Sequence, residues 1–139
     1  MMKKTLFKIH HSLTMLTLKR LLLTISMCCL MATVNAAPMD DAIAAYNKGD
    51  YKEALKIWRP LTDQGNAGAQ YNIGWMYAQG KGVTQDYSSA YMWYNLASSA
   101  GLAAGAKNRD IIAKRMTPQQ IEKAKDMARE CQARNFKGC

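Results

Sequence analysis

Asp86-Tyr87-Ser88-Ser89-Ala90-Tyr91-Met92-Trp93-Tyr94-Asn95-Leu96-Ala97-Ser98-Ser99-Ala100-Gly101 is the stretch on which the fold turns. On a helix, Ala90, Trp93, Tyr94 and Ala97 stand at i, i+3, i+4 and i+7 and share one face. Small residues bracket two large aromatic ones. This suits a helix lying close against a neighbour while its rings fill the space beside it. The same text stands earlier in the chain. Asp50-Tyr51-x-x-Ala54-x-x-Ile57-Trp58 matches Asp86-Tyr87-x-x-Ala90-x-x-Trp93-Tyr94, and Gly65 matches Gly101, each pair 36 residues apart. A period in the mid-thirties is the signature of repeats built from paired helices.

The first 36 residues read as a secretory leader. Lys3, Lys4, Lys8, Lys19 and Arg20 make it basic, Leu21 to Thr33 carries no charge, and Val34-Asn35-Ala36 ends it with compact residues. That order is the order of a signal peptide, with cleavage expected after Ala36. The uncharged run is short for a membrane span; an uncleaved leader acting as an anchor is the alternative. Met15 would give a leader of ordinary length, so either Met1 or Met15 fits as the start. Cys28 and Cys29 read as apolar filler of the leader.

Residues 37–139 then form one small domain. Loss of the leader takes five positive charges from a formal +9 and leaves +4. Such a mixed, weakly basic domain gives no argument for nucleic acid. The basic residues near the end, Lys123, Lys125 and Arg129 among them, are interleaved with Glu122, Asp126 and Glu130, as on a solvated face.

Six helices are predicted in this domain. The first spans Met39 to Asn47 behind Pro38, and the second Tyr51 to Thr62, with a bend or early end at Pro60. The third spans Ala67 to Gln79, with Gly74 in its interior implying a close crossing. The connector Gly80-Lys81-Gly82-Val83 offers two glycines for positive φ and a valine to tuck beneath the pair. The fourth helix is the opening stretch and the fifth runs from Ala103 to Lys114. The sixth starts at Thr117-Pro118-Gln119-Gln120, a capping box with proline at the first helical position, and ends near Ala133. The expected fold is all-α: a short right-handed α/α solenoid of about three antiparallel helix pairs, stacked to share a core. Ala54, Trp58, Ile73, Gly74, Tyr77, Ala90, Trp93, Tyr94 and Ala97 are its expected repeat core.

Ala69-x-x-x-x-Gly74-x-x-Tyr77-x-x-Gly80-x-Gly82-Val83-x-x-Asp86-x-x-x-Ala90-x-x-Trp93-Tyr94-x-x-Ala97-x-x-x-Gly101 resembles the Sel1-like repeat family, relatives of the tetratricopeptide repeat. The resemblance covers one full repeat, Ala69 to Ala104, with Ile73 where the family usually has leucine. The segment Met39 to Gly65 looks like a shorter, more tetratricopeptide-like repeat. The resemblance implies a curved helical solenoid that serves as a binding or adaptor module, and names no partner.

The chemistry of the mature chain is sparse. Its only cysteines are Cys131 and Cys139, and an even pair in an exported protein is expected to form a disulfide. Both histidines, His10 and His11, lie in the leader. Without them neither a Ser-His-Asp nor a Cys-His arrangement exists, and two thiols are too few good ligands for zinc. No metal, cofactor or catalytic residue is expected, and Asp50 and Asp86 sit where helix caps belong. Tyr71, Trp75 and Tyr91 lie off the main apolar stripe and are the candidates for a peptide-binding groove, with Asn72 and Gln79 as polar flanks.

The expected function is a non-enzymatic helical-repeat module, periplasmic or secreted, that binds a protein or peptide. Two alternatives stand beside it: a membrane-tethered structural or envelope-stress scaffold, and an enzyme acting on envelope polymer. The membrane enters only if the leader stays uncleaved.

Overall fold

The computed structural model describes residues 36–139; the expected leader, apart from Ala36, lies outside the described residues. Six helices follow in order: α1 Ala36–Asn47, α2 Tyr51–Thr62, α3 Ala67–Gln79, α4 Tyr87–Ser99, α5 Ala103–Ala113 and α6 Pro118–Ala133. No strand occurs among the described residues. The sequence places these elements because their ends are written locally. Asp50 Oδ1 accepts from the Glu53 N–H at 3.1 Å and Asp86 Oδ1 from the Ser88 N–H at 2.9 Å. Both carboxylates are therefore helix caps. Thr117 and Gln120 close the capping box in both directions, at 3.2 and 2.8 Å. Gly80 ends α3 in the left-handed region at φ 66°, and Gly82 follows at 68°. Val83 packs partly buried against the core, as expected.

α1 differs from the sequence reading at its start, whereas α2 keeps its expected bounds. α1 starts three residues before Met39, so Pro38 falls inside its first turn, where a missing N–H costs nothing. Pro60 does not stop α2 at once. The helix runs two residues further, and the Thr62 hydroxyl donates to the Arg59 carbonyl at 2.7 Å in its last turn.

α4 is the centre. It packs against α3, α5 and α6, whereas α2 reaches the stack through α3. The expected third pair needs correction: α6 lies on α4 rather than on α5. A helix covered on several sides must be apolar on several sides, and Ala90 to Tyr94 are five consecutive buried residues. Met92, Trp93 and Leu96 join a first core cluster with Trp58, Leu61 and Ile73. Tyr91 and Tyr94 join a second with Ile112 and Ala124. The expected repeat core is buried, except that Tyr77 is only partly so, packed against both clusters.

Two glycines set the distance of closest approach to α4. A Cβ on Gly74 would stand 2.9 Å from Cδ1 of Tyr94 and 3.2 Å from Cβ of Trp93. A Cβ on Gly105 would stand 2.9 Å from the Tyr94 carbonyl oxygen and 2.9 Å from the Ser98 nitrogen. The crossing implied by Gly74 is thus present, and α5 makes a second one against backbone.

The chain end returns to the first repeat. Cys131 and Cys139 are joined by a disulfide. Asn135 and Phe136 turn the tail through left-handed backbone, φ 51° and 64°, and the Phe136 N–H donates to the Cys131 carbonyl at 2.9 Å. The Phe136 ring then covers Gly65, where an added Cβ would meet Cε2 at 3.3 Å. Beneath the tail lies a cavity of about 100 Å³ between Cys139, Arg59, Ile73, Tyr77 and Trp93. On α6 the charges pair among themselves, Glu122 with Lys125 at 2.7 Å and Asp126 with Arg129, all on an exposed face.

Gly105→Ala is expected to destabilise the chain by about 1–3 kcal/mol, because backbone cannot swing aside as a side chain can. The helix-propensity gain of roughly 1 kcal/mol offsets only part of this. The loss should exceed that of Gly74→Ala in urea unfolding; a neutral Gly105→Ala would contradict the close crossing. Cys139→Ser opens a short loop and should cost about 2–3 kcal/mol by loop-closure entropy. Unfolding of the two chains under oxidising conditions checks this, and equal midpoints would refute it.

Candidate binding groove

The first helix of each successive pair turns one face to the core and another outward. The outward face of α1 and α3, floored by α2, forms a groove of about 320 Å³ lined by Ile43, Tyr46, Trp58, Tyr71, Asn72 and Trp75. Four of the six are aromatic. Hydrogen bonds fix the rings: Trp75 Nε1 donates to Tyr46 Oη at 2.9 Å, and Asn108 Nδ2 donates to Tyr71 Oη at 2.8 Å. Tyr46 also stacks edge-on against Tyr51 at 5.2 Å and lies 5.9 Å from Trp58. The walls are therefore held in place before any partner arrives.

Trp75 is shared with a second, smaller hollow of about 90 Å³, bounded by Gln79, Tyr94, Asn108, Ile111 and Arg115. The two hollows run in sequence across α1, α3 and α5. Their ridge is apolar: Ile43 is 41 %, Trp75 40 % and Ile111 46 % exposed, the large hydrophobic side chains left open among the described residues. These three hold one repeat position. Ile43 and Trp75 each stand four residues before the end of their helix, and Trp75 and Ile111 each stand eight residues after its start.

The residues expected to form a groove divide. Tyr71, Asn72 and Trp75 come together in it. Gln79 lies beyond Trp75, in the second hollow. Tyr91 does not belong: at 6 % exposure it packs with Tyr94, Ile112 and Ala124. It lies off the repeat stripe, yet α4 is covered on more sides than one stripe, which a single-face reading misses. Ile43, Tyr46 and Ile111 are the groove residues that the sequence reading passed over. They look like ordinary helix-face apolar residues until the first helices are set in register. Trp58 is both core and groove floor.

Among the described residues, the groove lining holds no His, Cys, Asp or Glu. Among the described residues, no three His, Cys, Asp or Glu side chains gather. No described helix is long and apolar enough to cross a membrane. The one strongly displaced group is Tyr94 behind the groove. Burial, and next the neighbouring Tyr71 whose ring lies 5.5 Å away, hold its phenol far above the ordinary tyrosine range, while Asn108 draws it partly back.

A Sel1 repeat family model matches residues 67–102. An exopolysaccharide production negative regulator of Rhizobium leguminosarum bv. viciae is 33 % identical over 64 residues, 46 % of this chain and 24 % of the regulator. The crystal structure of a protective antigen of uropathogenic Escherichia coli strains, displaying an SLR fold, superposes with a TM-score of 0.66 at 29 % identity. It covers 73 % of this chain and 23 % of the antigen. The chain thus spans about a quarter of the length of each relative.

The Tyr94 phenol carries a pH signature. Its folded-state pKa lies above its unfolded one, so its contribution to stability is complete below about pH 10 and is lost as pH rises toward the folded value. Tyr94→Phe should flatten the fall of unfolding free energy above about pH 10 relative to the parent. Equal slopes in paired urea titrations would contradict it.

Proposed function

We propose, for a chain that belongs to the Sel1-like repeat family, that it is an exported, non-enzymatic module that binds a segment of another protein in the groove of its first helices. Repeats of this family are in general protein-interaction scaffolds. The observation that carries the reading to this surface is the exposed row Ile43, Trp75 and Ile111, with Trp75 locked by Tyr46 at its centre. Large rigid aromatics at the middle of a recessed patch are the side chains that anchor interfaces. Export rests on the leader composition and on the Cys131–Cys139 pairing, which suits an oxidising compartment.

Trp75 is open enough to be replaced without emptying the core. Crosslinking of the full-length chain in its host before lysis tests the reading. A partner should be captured by the parent and reduced at least tenfold with Trp75→Ala, which corresponds to an anchor contributing about 2 kcal/mol. Full capture by a Trp75→Ala chain of unchanged helicity would place binding elsewhere. The intact mass of the same captured chain should start at Ala37; a mass that retains the leader would favour a tethered scaffold instead.

A further inference from the structure

Resting on the groove reading above, we propose that its occupant is a proline-bearing segment in the polyproline II conformation. The inventory of donors and acceptors points there first. Tyr46 Oη already accepts from Trp75, and Tyr71 Oη already accepts from Asn108. Each phenol keeps its own hydrogen to give, and neither has an acceptor for it among the described residues. The Trp58 ring floors the groove with its indole nitrogen buried, out of reach of an occupant. Against the two phenol donors, the lining offers one side-chain amide, Asn72, that can accept as well as donate.

The occupant must therefore bring acceptors and few donors. An α-helix has spent its carbonyls on itself. A β-strand brings N–H and C=O groups in equal number, and an N–H facing tyrosine and tryptophan walls would stay unpaired at a cost. A polyproline II segment leaves every backbone carbonyl free, and each proline removes a donor. Its rings are apolar and its conformation is set beforehand, which is why aromatic-lined grooves suit it.

Charge gives the segment a direction. Asp40 holds on α1 the repeat position that Asn72 holds on α3, each seven residues before the helix end, with Asp41 beside it. At the other end stands Arg115, a lining residue of the second hollow. A basic residue at the α1 end and an acidic one at the α5 end complement these.

Tryptophan fluorescence of the full chain tests the proposal with four probe peptides of equal length. They are an oligoproline with lysine at one end and glutamate at the other, the same peptide with its charged ends exchanged, a glycine–serine peptide, and an amphipathic alanine–leucine helix. The oligoproline should give a saturable change at least tenfold tighter than the glycine–serine peptide. Tyr46→Phe, which keeps the ring and removes the donor, should weaken it several-fold, and the end-exchanged peptide should bind less well. No saturable change with oligoproline, or affinity no better than glycine–serine, overturns the proposal. Equal affinity of the end-exchanged peptide overturns its direction. Binding of the helical peptide instead, lost with Trp75→Ala, overturns the polyproline occupant while leaving the groove reading standing.

Discussion

The structure depends on how closely α4 can be approached. Gly74 from α3 and Gly105 from α5 bring their backbones onto it from two sides, one against the Tyr94 ring and the other against the Tyr94 carbonyl and the Ser98 nitrogen. Dispersion falls steeply with separation, so tenths of an ångström over a whole helix face decide whether a stack this short is stable. Glycine in a helix costs roughly 1 kcal/mol in propensity. Close packing of two aromatic-rich faces is what offsets that cost. The consequence is visible in α4 itself, whose residues from Ala90 to Tyr94 are all buried.

The remaining elements follow from this centre. α6 settles on α4, and through Cys131 it carries the tail back to Gly65 at the end of the first repeat. The last residues of the chain thus touch the first repeat, and a stack of few repeats gains a contact that a longer solenoid would obtain from its neighbours. With α4 and the tail holding one side, the opposite face of α1, α3 and α5 is left open. The groove is what remains of the first helices once their inner faces are committed to the core. Its polar atoms serve to orient rings, which holds the aromatic walls in place.

Much of this is legible in the sequence, because the repeat writes its own punctuation. Asp50 and Asp86 cap, Gly80 and Gly82 turn, and Thr117 to Gln120 open the last helix, each by local hydrogen bonding that needs no tertiary context. Gly74 announces a crossing because an interior glycine is otherwise unfavourable. Gly105 announces nothing, since it stands in the first turn of a helix where glycine is unremarkable, yet its contact is the less forgiving one. Tyr91 misleads for the opposite reason: periodicity gives one apolar face, whereas a central helix is covered on several. Tyr71, Asn72 and Trp75 are found from their place off the stripe. Ile43, Tyr46 and Ile111 become groove residues only through the relative placement of three helices, which a four-residue difference in connector length between the first and second repeats conceals.

Native-state amide hydrogen exchange along residues 36–139 addresses the role of α4 most directly, since local opening free energies report which element the others rest upon. The slowest exchange is expected at Met92 to Ala97 of α4, with α3 amides next and α1 well below them. Slowest exchange in α6, or uniform protection across all six helices, would contradict a fold organised around α4.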